Sequence, residues 1–199
     1  DGFVEQVRDV FALQLYEDQN FRIFYDGEEI NARDAIKNVT KYQVKAELEN
    51  GQKFDAILEI VEWKKRVERK LMLCLPGRFS FYFMPPGIHA RGFDFTAYLT
   101  ANHFQQLADE NTEELVELDP PSMSLVEAAK NKLREHFRQL EIERSRSKIQ
   151  EWKDEKIYPY EGRASNVIEV NERQVFDVVA LNLADYSQDF ERAPTKQQK

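Results

Sequence analysis

The first sixteen residues carry apolar side chains at a helical spacing. A helix predicted over residues 4–16 has one apolar face, formed by Val7, Val10, Phe11 and Leu15. The run that follows, residues 21–25, is rich in β-forming side chains and ends at Asp26–Gly27. Because glycine adopts positive φ without a steric penalty, this pair is typical of a tight turn. A second, short helix is predicted over residues 32–39, with Asn31 as its N-cap.

The middle of the chain changes to the period of two that is typical of half-buried strands. Two alternating runs flank Asn50–Gly51, which is the strongest hairpin signal in the sequence. Another two flank Pro76–Gly77, and residues 85–92 form a loop because their prolines and glycines cannot sustain a strand ladder. The five predicted strands, mostly antiparallel, cover residues 40–49, 54–63, 69–75, 79–84 and 93–99.

Helical spacing returns after residue 101. A short helix is predicted over 102–108, followed by an acidic segment, 109–119, that contains six carboxylates and no Lys or Arg. After Pro120–Pro121, a helix of roughly 30 residues is predicted, with Ser122 or Ser124 as its N-cap. A last apolar helix is expected over 173–183.

These elements predict the α+β class: a mostly antiparallel sheet with helices on one side, followed by a long helix and a C-terminal helical segment. The expected organisation is a sheet domain over 1–108, an acidic and proline-containing linker over 109–121, and a helical region over 122–199. The chain begins at Asp1 rather than Met and ends in a polar run, so we expect it to be a piece of a longer protein.

Composition narrows the expected partners and location. A net charge of −8 argues against nucleic acid as a partner. No apolar stretch approaches the roughly 18 to 20 residues that span a bilayer, so no membrane partner is expected. The single cysteine, Cys74, excludes a disulfide framework and is typical of a reducing compartment, which makes the cytoplasm the expected location.

Patterns for catalysis and metal binding are weak in this sequence. The seven glycines are dispersed and form neither of the common phosphate-binding loops. His89, His103 and His136 are far apart and lack metal-ligand spacing, so no metal site is predicted. A small enzyme that uses Cys74 or His89 is one alternative, although Cys74 lies inside an apolar run in which nothing activates its thiol.

Three aromatic residues gather around the predicted end of the long helix: Trp152, Tyr158 and Tyr160. Such clusters often anchor interfaces, because an aromatic ring buries a large apolar area and keeps a polar tip. We therefore expect an interface here, either with another part of the same protein or with a second copy of the chain.

Four segments carry a family resemblance: residues 21–30, 93–99, 152–162 and 174–182. They resemble the region that follows the nucleotide-binding domain in bacterial ATPases of the GHKL superfamily, which includes gyrase, MutL, histidine kinases and the ninety-kilodalton heat-shock chaperones, and in particular its heat-shock-chaperone-like and MORC-like members. The resemblance implies a transducer domain with a ribosomal-protein-like α+β fold. It also implies a parent protein that is an ATPase and uses ATP and Mg²⁺.

In that family, the transducer supplies a basic residue to the γ-phosphate of ATP bound by the preceding domain of the same chain. The candidates for this contact, all on predicted loops at strand ends, are Lys64, Lys65, Arg78 and Arg91. No Gln-Thr-Lys signature selects one of them. The resemblance therefore implies a non-catalytic coupling region without a complete active site of its own. An interaction or dimerisation module unrelated to ATPases is the alternative.

One short segment, Asn31–Ala35, also resembles the Asn-x-x-Asp-Ala motif of the nucleotide-binding domain of that superfamily. There a Glu four residues before the Asn activates water, whereas here that position is Gly27. The Asp-x-Gly-x-Gly adenine-binding motif is also absent downstream. Asn31–Ala35 is therefore interpreted as an ordinary helix start, and the nucleotide pocket is expected outside this chain.

Overall fold

The computed structural model describes residues 2–18, 20–77, 79–110, 112–156, 158–160 and 162–191. The helices are α1 (Gly2–Val10), α2 (Ala12–Glu17), α3 (Asn102–Asp109), a 3-10 helix (Glu113–Leu118), α4 (Pro120–Asp154) and α5 (Val167–Glu191). The strands are β1 (Ile23–Tyr25), β2 (Glu28–Ile30), β3 (Ile36–Glu47), β4 (Lys53–Trp63), β5 (Lys70–Cys74), β6 (Ser80–Met84) and β7 (Phe95–Ala101). The chain divides into two compact units, the first ending at Glu135 and the second beginning at His136.

The predicted five-stranded sheet is confirmed, with the order β3-β4-β7-β5-β6. All neighbouring strands are antiparallel except β5 and β7, which pair in parallel. Asn50–Gly51 joins β3 to β4 as predicted, with Gly51 at a φ of 82°. Strands β1 and β2 form a separate ribbon around Asp26–Gly27, so the turn predicted there is also confirmed.

The helix predicted over 32–39 is wrong, because β3 already begins at Ile36. The Asn31 side chain accepts a backbone hydrogen bond, but it caps a turn and not a helix. The Arg33 N–H donates to Asn31 Oδ1 at 2.8 Å. Ile36 then pairs with Trp63 of β4. Cross-strand pairing and β-branched side chains, which favour strands, outweigh the local helical spacing.

One face of the sheet is covered by the N-terminal helices. Alternation along β4 directs Val61 and Trp63 to this face. They form one core with Leu13 of α2, Tyr98 of β7 and Met72 of β5. The predicted helix over 4–16 is thus present as α1 and α2, and both use their apolar side to cover the sheet.

The other face is covered by α3 and by the first half of α4. Ile60 of β4 and Leu99 of β7 are fully buried there, as is Leu125 of α4. The Lys132 ammonium of α4 lies 4.7 Å from the centre of the Tyr42 ring on β3. The α+β class with a mostly antiparallel sheet is therefore confirmed. The expectation that its helices lie on one side is wrong, because helices cover both faces.

The long helix is also confirmed, but its cap differs from the prediction. Helix α4 begins at Pro120, and the side-chain hydrogen bond of Asp119 makes it the N-cap rather than Ser122 or Ser124. The Ser122 N–H donates to Asp119 Oδ2 at 2.9 Å. Proline suits the first helical position because its missing N–H would have no intrahelical partner there.

Within the acidic segment, Val116 of the 3-10 helix is fully buried.

The second unit contains the remainder of α4 and helix α5. An extended cap starts α5: the Glu169 N–H donates to Asn166 Oδ1 at 2.9 Å, and Glu169 in turn accepts hydrogen bonds from Ser165. Helix α5 starts six residues before the predicted 173, at Val167. None of the helices in the described ranges is both long and apolar enough to cross a bilayer.

Candidate functional site

The strongest local concentration of positive charge follows β4. Five of the seven residues in segment 64–70 are Lys or Arg, in a chain whose net charge is −8. Lys64 and Lys65 are exposed directly after the end of the strand. Backbone hydrogen bonds fix this point on two sides: the Trp63 N–H donates to Asp94 O at 2.8 Å, and the Lys64 N–H donates to Ala35 O at 2.9 Å. The basic segment thus begins from a rigid position.

The loop that carries Arg91 meets the same end of the sheet. It leads into β7, whose first residue, Phe95, lies opposite Glu62 near the end of β4. Arg91 is exposed on this loop. The Trp63 indole N–H donates to Thr96 Oγ1 at 3.0 Å and holds the two strands together at this point. We call this end of the sheet, with Lys64, Lys65 and Arg91, the basic end.

Arg78 lies outside the described residues. The Pro76–Gly77 turn that precedes it follows β5 at the other end of the sheet, because Cys74 pairs with Thr100 near the end of β7. The structure therefore brings three of the four candidate phosphate contacts to one end of the sheet. Which of them has that role stays a prediction.

Cys74 and His89 do not form a catalytic pair. Cys74 is fully buried at the last position of β5, whereas His89 is exposed on the loop that leads into β7 at the basic end. Strand β5 has five residues, so its two ends are four steps apart, on the order of 13 Å. A Cys74–His89 nucleophilic pair is therefore not formed, and an enzyme that uses Cys74 or His89 alone stays a prediction. Among the described residues, no group of three His, Cys, Asp or Glu side chains is arranged to hold a metal ion.

Two of the three predicted interface residues, Tyr158 and Tyr160, pack together within the second unit, and their contact with another part of the protein or a second copy stays a prediction. The Tyr158 ring lies 5.8 Å from Tyr160 and 5.6 Å from Phe176, centre to centre. The Tyr158 hydroxyl donates to Asp177 Oδ1 at 2.7 Å, and burial together with this carboxylate raises the pKa of Tyr158 to about 12. Trp152 is half-buried, and its carbonyl accepts the Tyr158 N–H at 3.0 Å. Tyr158 itself is 8% exposed, so its ring serves internal packing.

Two surfaces go beyond the sequence prediction, which gave an apolar helix over 173–183 but neither its exposure nor a cavity on the sheet. One is an apolar side of α5, whose exposed residues are Val167, Ile168, Val170, Val175, Val178 and Val179. The other is a cavity of about 830 Å³ on the sheet, between α2, the Pro76–Gly77 turn and the start of α3. A helical period identifies an apolar side but not what covers it. The cavity depends on strand register, which only the folded sheet defines.

The basic end can attract an anion, because it carries three exposed cations on loops that meet where the Trp63 N–H donates to Asp94 O. Exposed cations bind phosphate-like groups mainly through charge and hydrogen bonds, so the arrangement favours binding over chemical transformation. Comparison of the chain with models of known protein families, with curated proteins and with solved structures finds no match for it.

Proposed function

We propose that this chain is a non-catalytic transducer region of a larger ATP-binding protein of the GHKL type. In this proposal, Lys64, Lys65 or Arg91 contacts the terminal phosphate of ATP that the preceding domain of the same protein holds with Mg²⁺. The observation that supports it is that the segment with Lys64 and Lys65 meets the loop with Arg91. The Trp63 N–H donates to Asp94 O at 2.8 Å at this point. A transducer needs such cations on loops at strand ends.

The physical mechanism is a difference in affinity between two arrangements of domains. A cation that meets the terminal phosphate only in the closed arrangement stabilises that arrangement only while ATP is bound. Hydrolysis removes the phosphate and with it this stabilisation. The parent protein would thus be the ATPase, and this region would relay its state to the arrangement of domains or of two subunits.

The proposal places the protein in the cytoplasm, without nucleic acid or membrane as a partner of this region. The fully buried thiol of Cys74 fits a reducing compartment but does not require one. The overall negative charge opposes non-specific binding to nucleic acid. The direct partner is the preceding ATP-binding domain, and a second copy of the protein is the further expected partner.

The first test is isothermal titration of this chain with ATP and Mg²⁺. We expect no binding, because the nucleotide pocket belongs to another domain. Clear micromolar affinity would contradict the proposal. The sequence upstream of Asp1 in the gene is the complementary check, since an Asp-x-Gly-x-Gly motif is expected there.

The second test uses the parent protein that this proposal predicts. Charge removal by Lys64→Ala, Lys65→Ala or Arg91→Ala is expected to weaken the ATP-dependent closed state about tenfold to a hundredfold for the residue that contacts phosphate. Lys53→Ala is the matched control, because Lys53 begins β4 at the opposite end of the sheet and pairs with Glu47. Equal effects of Lys53 and of the basic end would contradict a specific phosphate contact.

A second candidate function is an interaction or dimerisation module unrelated to ATPases. The observation that favours it is the exposed apolar side of α5, where Val167 and Ile168 are 76% and 70% exposed. Isolated exposed apolar residues are ordinary, but a continuous strip along one helix indicates a contact surface. This candidate predicts no Asp-x-Gly-x-Gly motif upstream. It also predicts a dimer whose mass, measured by light scattering, falls to the monomer value when Val175 and Val179 are changed to Ser.

A further inference from the structure

The five-stranded sheet has two edges, and they differ in their charge. Strand β3 forms one edge and carries three exposed lysines, Lys37, Lys41 and Lys45. Charged side chains on an edge strand oppose the addition of a further strand. Strand β6 forms the other edge, and its five residues, Ser80–Met84, include no charged side chain. The β6 edge therefore lacks the protection by charge that the β3 edge has.

The backbone of β6 is paired on one side. It forms an antiparallel ladder with β5, whose register shifts once, between Leu73 and Cys74. In such a ladder, every second residue points its N–H and C=O away from the partner strand. Among the described residues, no backbone hydrogen bond joins β6 to an element other than β5. The regular part of the strand, residues 82–84, therefore presents backbone donors and acceptors that another strand can use.

Side-chain contacts hold β6 in place. The Phe81 ring lies 5.7 Å from the Phe104 ring of α3, centre to centre. The Tyr82 hydroxyl donates to Glu117 Oε1 of the 3-10 helix. A preformed edge loses little conformational freedom when it binds, so most of the ordering cost falls on the partner.

An exposed aromatic ring lies beside this edge. Phe83 is opposite Met72 of β5, which belongs to the core under the N-terminal helices. These helices do not cover Phe83, which is 61% exposed. The Lys70 ammonium lies 5.3 Å from the centre of its ring. A side chain of an added strand can pack on this ring, as cross-strand pairs do within a sheet.

Positive charge collects at the C-terminal end of β6. Segment 64–70 leads into β5, whose first residues pair with this end of β6. The segment has five Lys or Arg side chains and one carboxylate, Glu68, whose Oε2 is 3.0 Å from Lys70 Nζ. The carboxylate of Asp9 also interacts with Lys70, but it is itself paired with Arg8 at 2.8 Å. At this end of a bound strand, an acidic group is therefore favoured over a basic one.

The size of the edge favours an extended peptide over a second copy of the chain. Phe79 and Phe83 are 62% and 61% exposed, so the two rings offer roughly 300 Å². Two copies of the edge would together bury about 600 Å² of ring surface, half of the roughly 1,200 Å² at which stable interfaces begin. An added peptide strand gains its affinity mainly from main-chain hydrogen bonds and does not need such an area.

We propose that the β6 edge binds an extended segment of a partner protein, which adds to the sheet as a sixth strand antiparallel to β6. The segment has an acidic N-terminal end followed by β-branched residues. Antiparallel pairing, the more stable arrangement, places this end beside Arg69 and Lys70, and an apolar side chain then packs on Phe83. The inference goes beyond the proposed function and does not depend on the phosphate contact proposed for the basic end.

The test titrates the whole chain with the synthetic peptide acetyl-Glu-Glu-Thr-Val-Thr-Val-Thr-amide while backbone amide signals are followed by NMR. We expect a dissociation constant on the order of 0.1 to 1 mM, with shifts along β6 and not along β3. Replacement of both glutamates by lysine is expected to weaken binding about fivefold. Because the rest of the peptide is unchanged, this comparison does not depend on Arg78, which precedes the other end of β6 and lies outside the described residues.

A second peptide tests whether main-chain hydrogen bonds carry the binding. N-methylation of its two adjacent central residues removes one N–H that faces β6, whichever way the strand lies. We expect this change to weaken binding about tenfold, since it removes a hydrogen bond and adds a methyl group at the edge.

Variants of the chain connect the binding to this edge. Phe83→Ala removes the exposed ring and is expected to weaken binding about threefold. Arg69→Ala with Lys70→Ala is expected to bring the glutamate and lysine peptides within about twofold of each other. Lys45→Ala on the opposite edge, where the ammonium is also exposed, is the matched control and should change neither result.

Several outcomes would overturn the proposal. They are a glutamate peptide that does not bind, an N-methylated or lysine peptide that binds as tightly, shifts along β3, and variants of the β6 edge that behave like the control. Shifts along β6 that depend on the concentration of the chain alone would assign the edge to a second copy and overturn the peptide as its occupant.

Discussion

The sheet of the first unit and helix α5 of the second unit are both rich in valine and isoleucine, but they use these residues in opposite ways. Ile60 and Val61 of β4 are fully buried. Val175 and Val178 of α5 are 64% and 60% exposed. The sheet therefore contains its own hydrophobic core, whereas α5 depends on its cap and on the small cluster around Tyr158. The difference indicates that the first unit is stabilised by long-range packing and that α5 is stabilised largely by local interactions.

The largest predicted effect tests the core of the sheet. Ile60→Ala removes a fully buried side chain from β4, so we expect the free energy of unfolding to fall by about 2 to 5 kcal/mol. Ile57→Ala, on the same strand but 37% exposed, is the matched control and should cost less than about 1 kcal/mol. Urea denaturation followed by tryptophan fluorescence measures both values. Equal losses would show that the two positions of β4 do not differ in burial as described.

The next effect tests whether the first unit also uses local caps. Asp119→Ala removes the N-cap of α4 and the acceptor of a 2.6 Å contact with His103 Nε2, and should cost about 1 to 2 kcal/mol. Asp119→Asn keeps a capping oxygen and should lose less. Ser124→Ala, at a cap predicted from the sequence, should change stability by less than about 0.5 kcal/mol. A larger loss for Ser124→Ala than for Asp119→Ala would place the cap where the sequence suggested it.

The same carboxylate gives the first unit a defined response to acid. Burial alone would raise the pKa of Asp119, but hydrogen bonds from Ser122 and His103 outweigh it and hold the pKa below its ordinary value of 3.8. A lowered pKa in the folded state means that the contribution to stability is present above the ordinary value. It is lost as the pH falls through the lowered value. Asp119→Asn should flatten this part of the stability curve, measured by urea denaturation at a series of acidic pH values.

The comparison also explains what the sequence could predict. The hairpin at Asn50–Gly51 follows from local chemistry, and the structure contains it at the predicted place. The segment 32–39 was predicted incorrectly because its strand is selected by pairing with Trp63, which is distant in the sequence. The basic end and the cavity on the sheet could not be predicted for the same reason. Both arise from the register of β4 with β7, and no local pattern encodes register between strands that are not consecutive.

The smallest predicted effect tests the local stabilisation of α5. Hydrogen bonds from the Ser165 hydroxyl, from the Ser165 N–H and from Arg173 lower the pKa of Glu169 to about 2. The contribution of these hydrogen bonds to stability is present at pH values above the ordinary Glu pKa of 4.5. It is lost as the pH falls from there through about 2. A side-chain NMR titration should therefore show Glu169 as an unusually acidic carboxyl group. Ser165→Ala removes the first of these hydrogen bonds and should raise the pKa, whereas Glu172→Gln on the same helix should leave it unchanged. If Glu169 titrates near 4.5, the cap is not formed in solution, and the start of α5 must then be stabilised by contacts other than its own first turn.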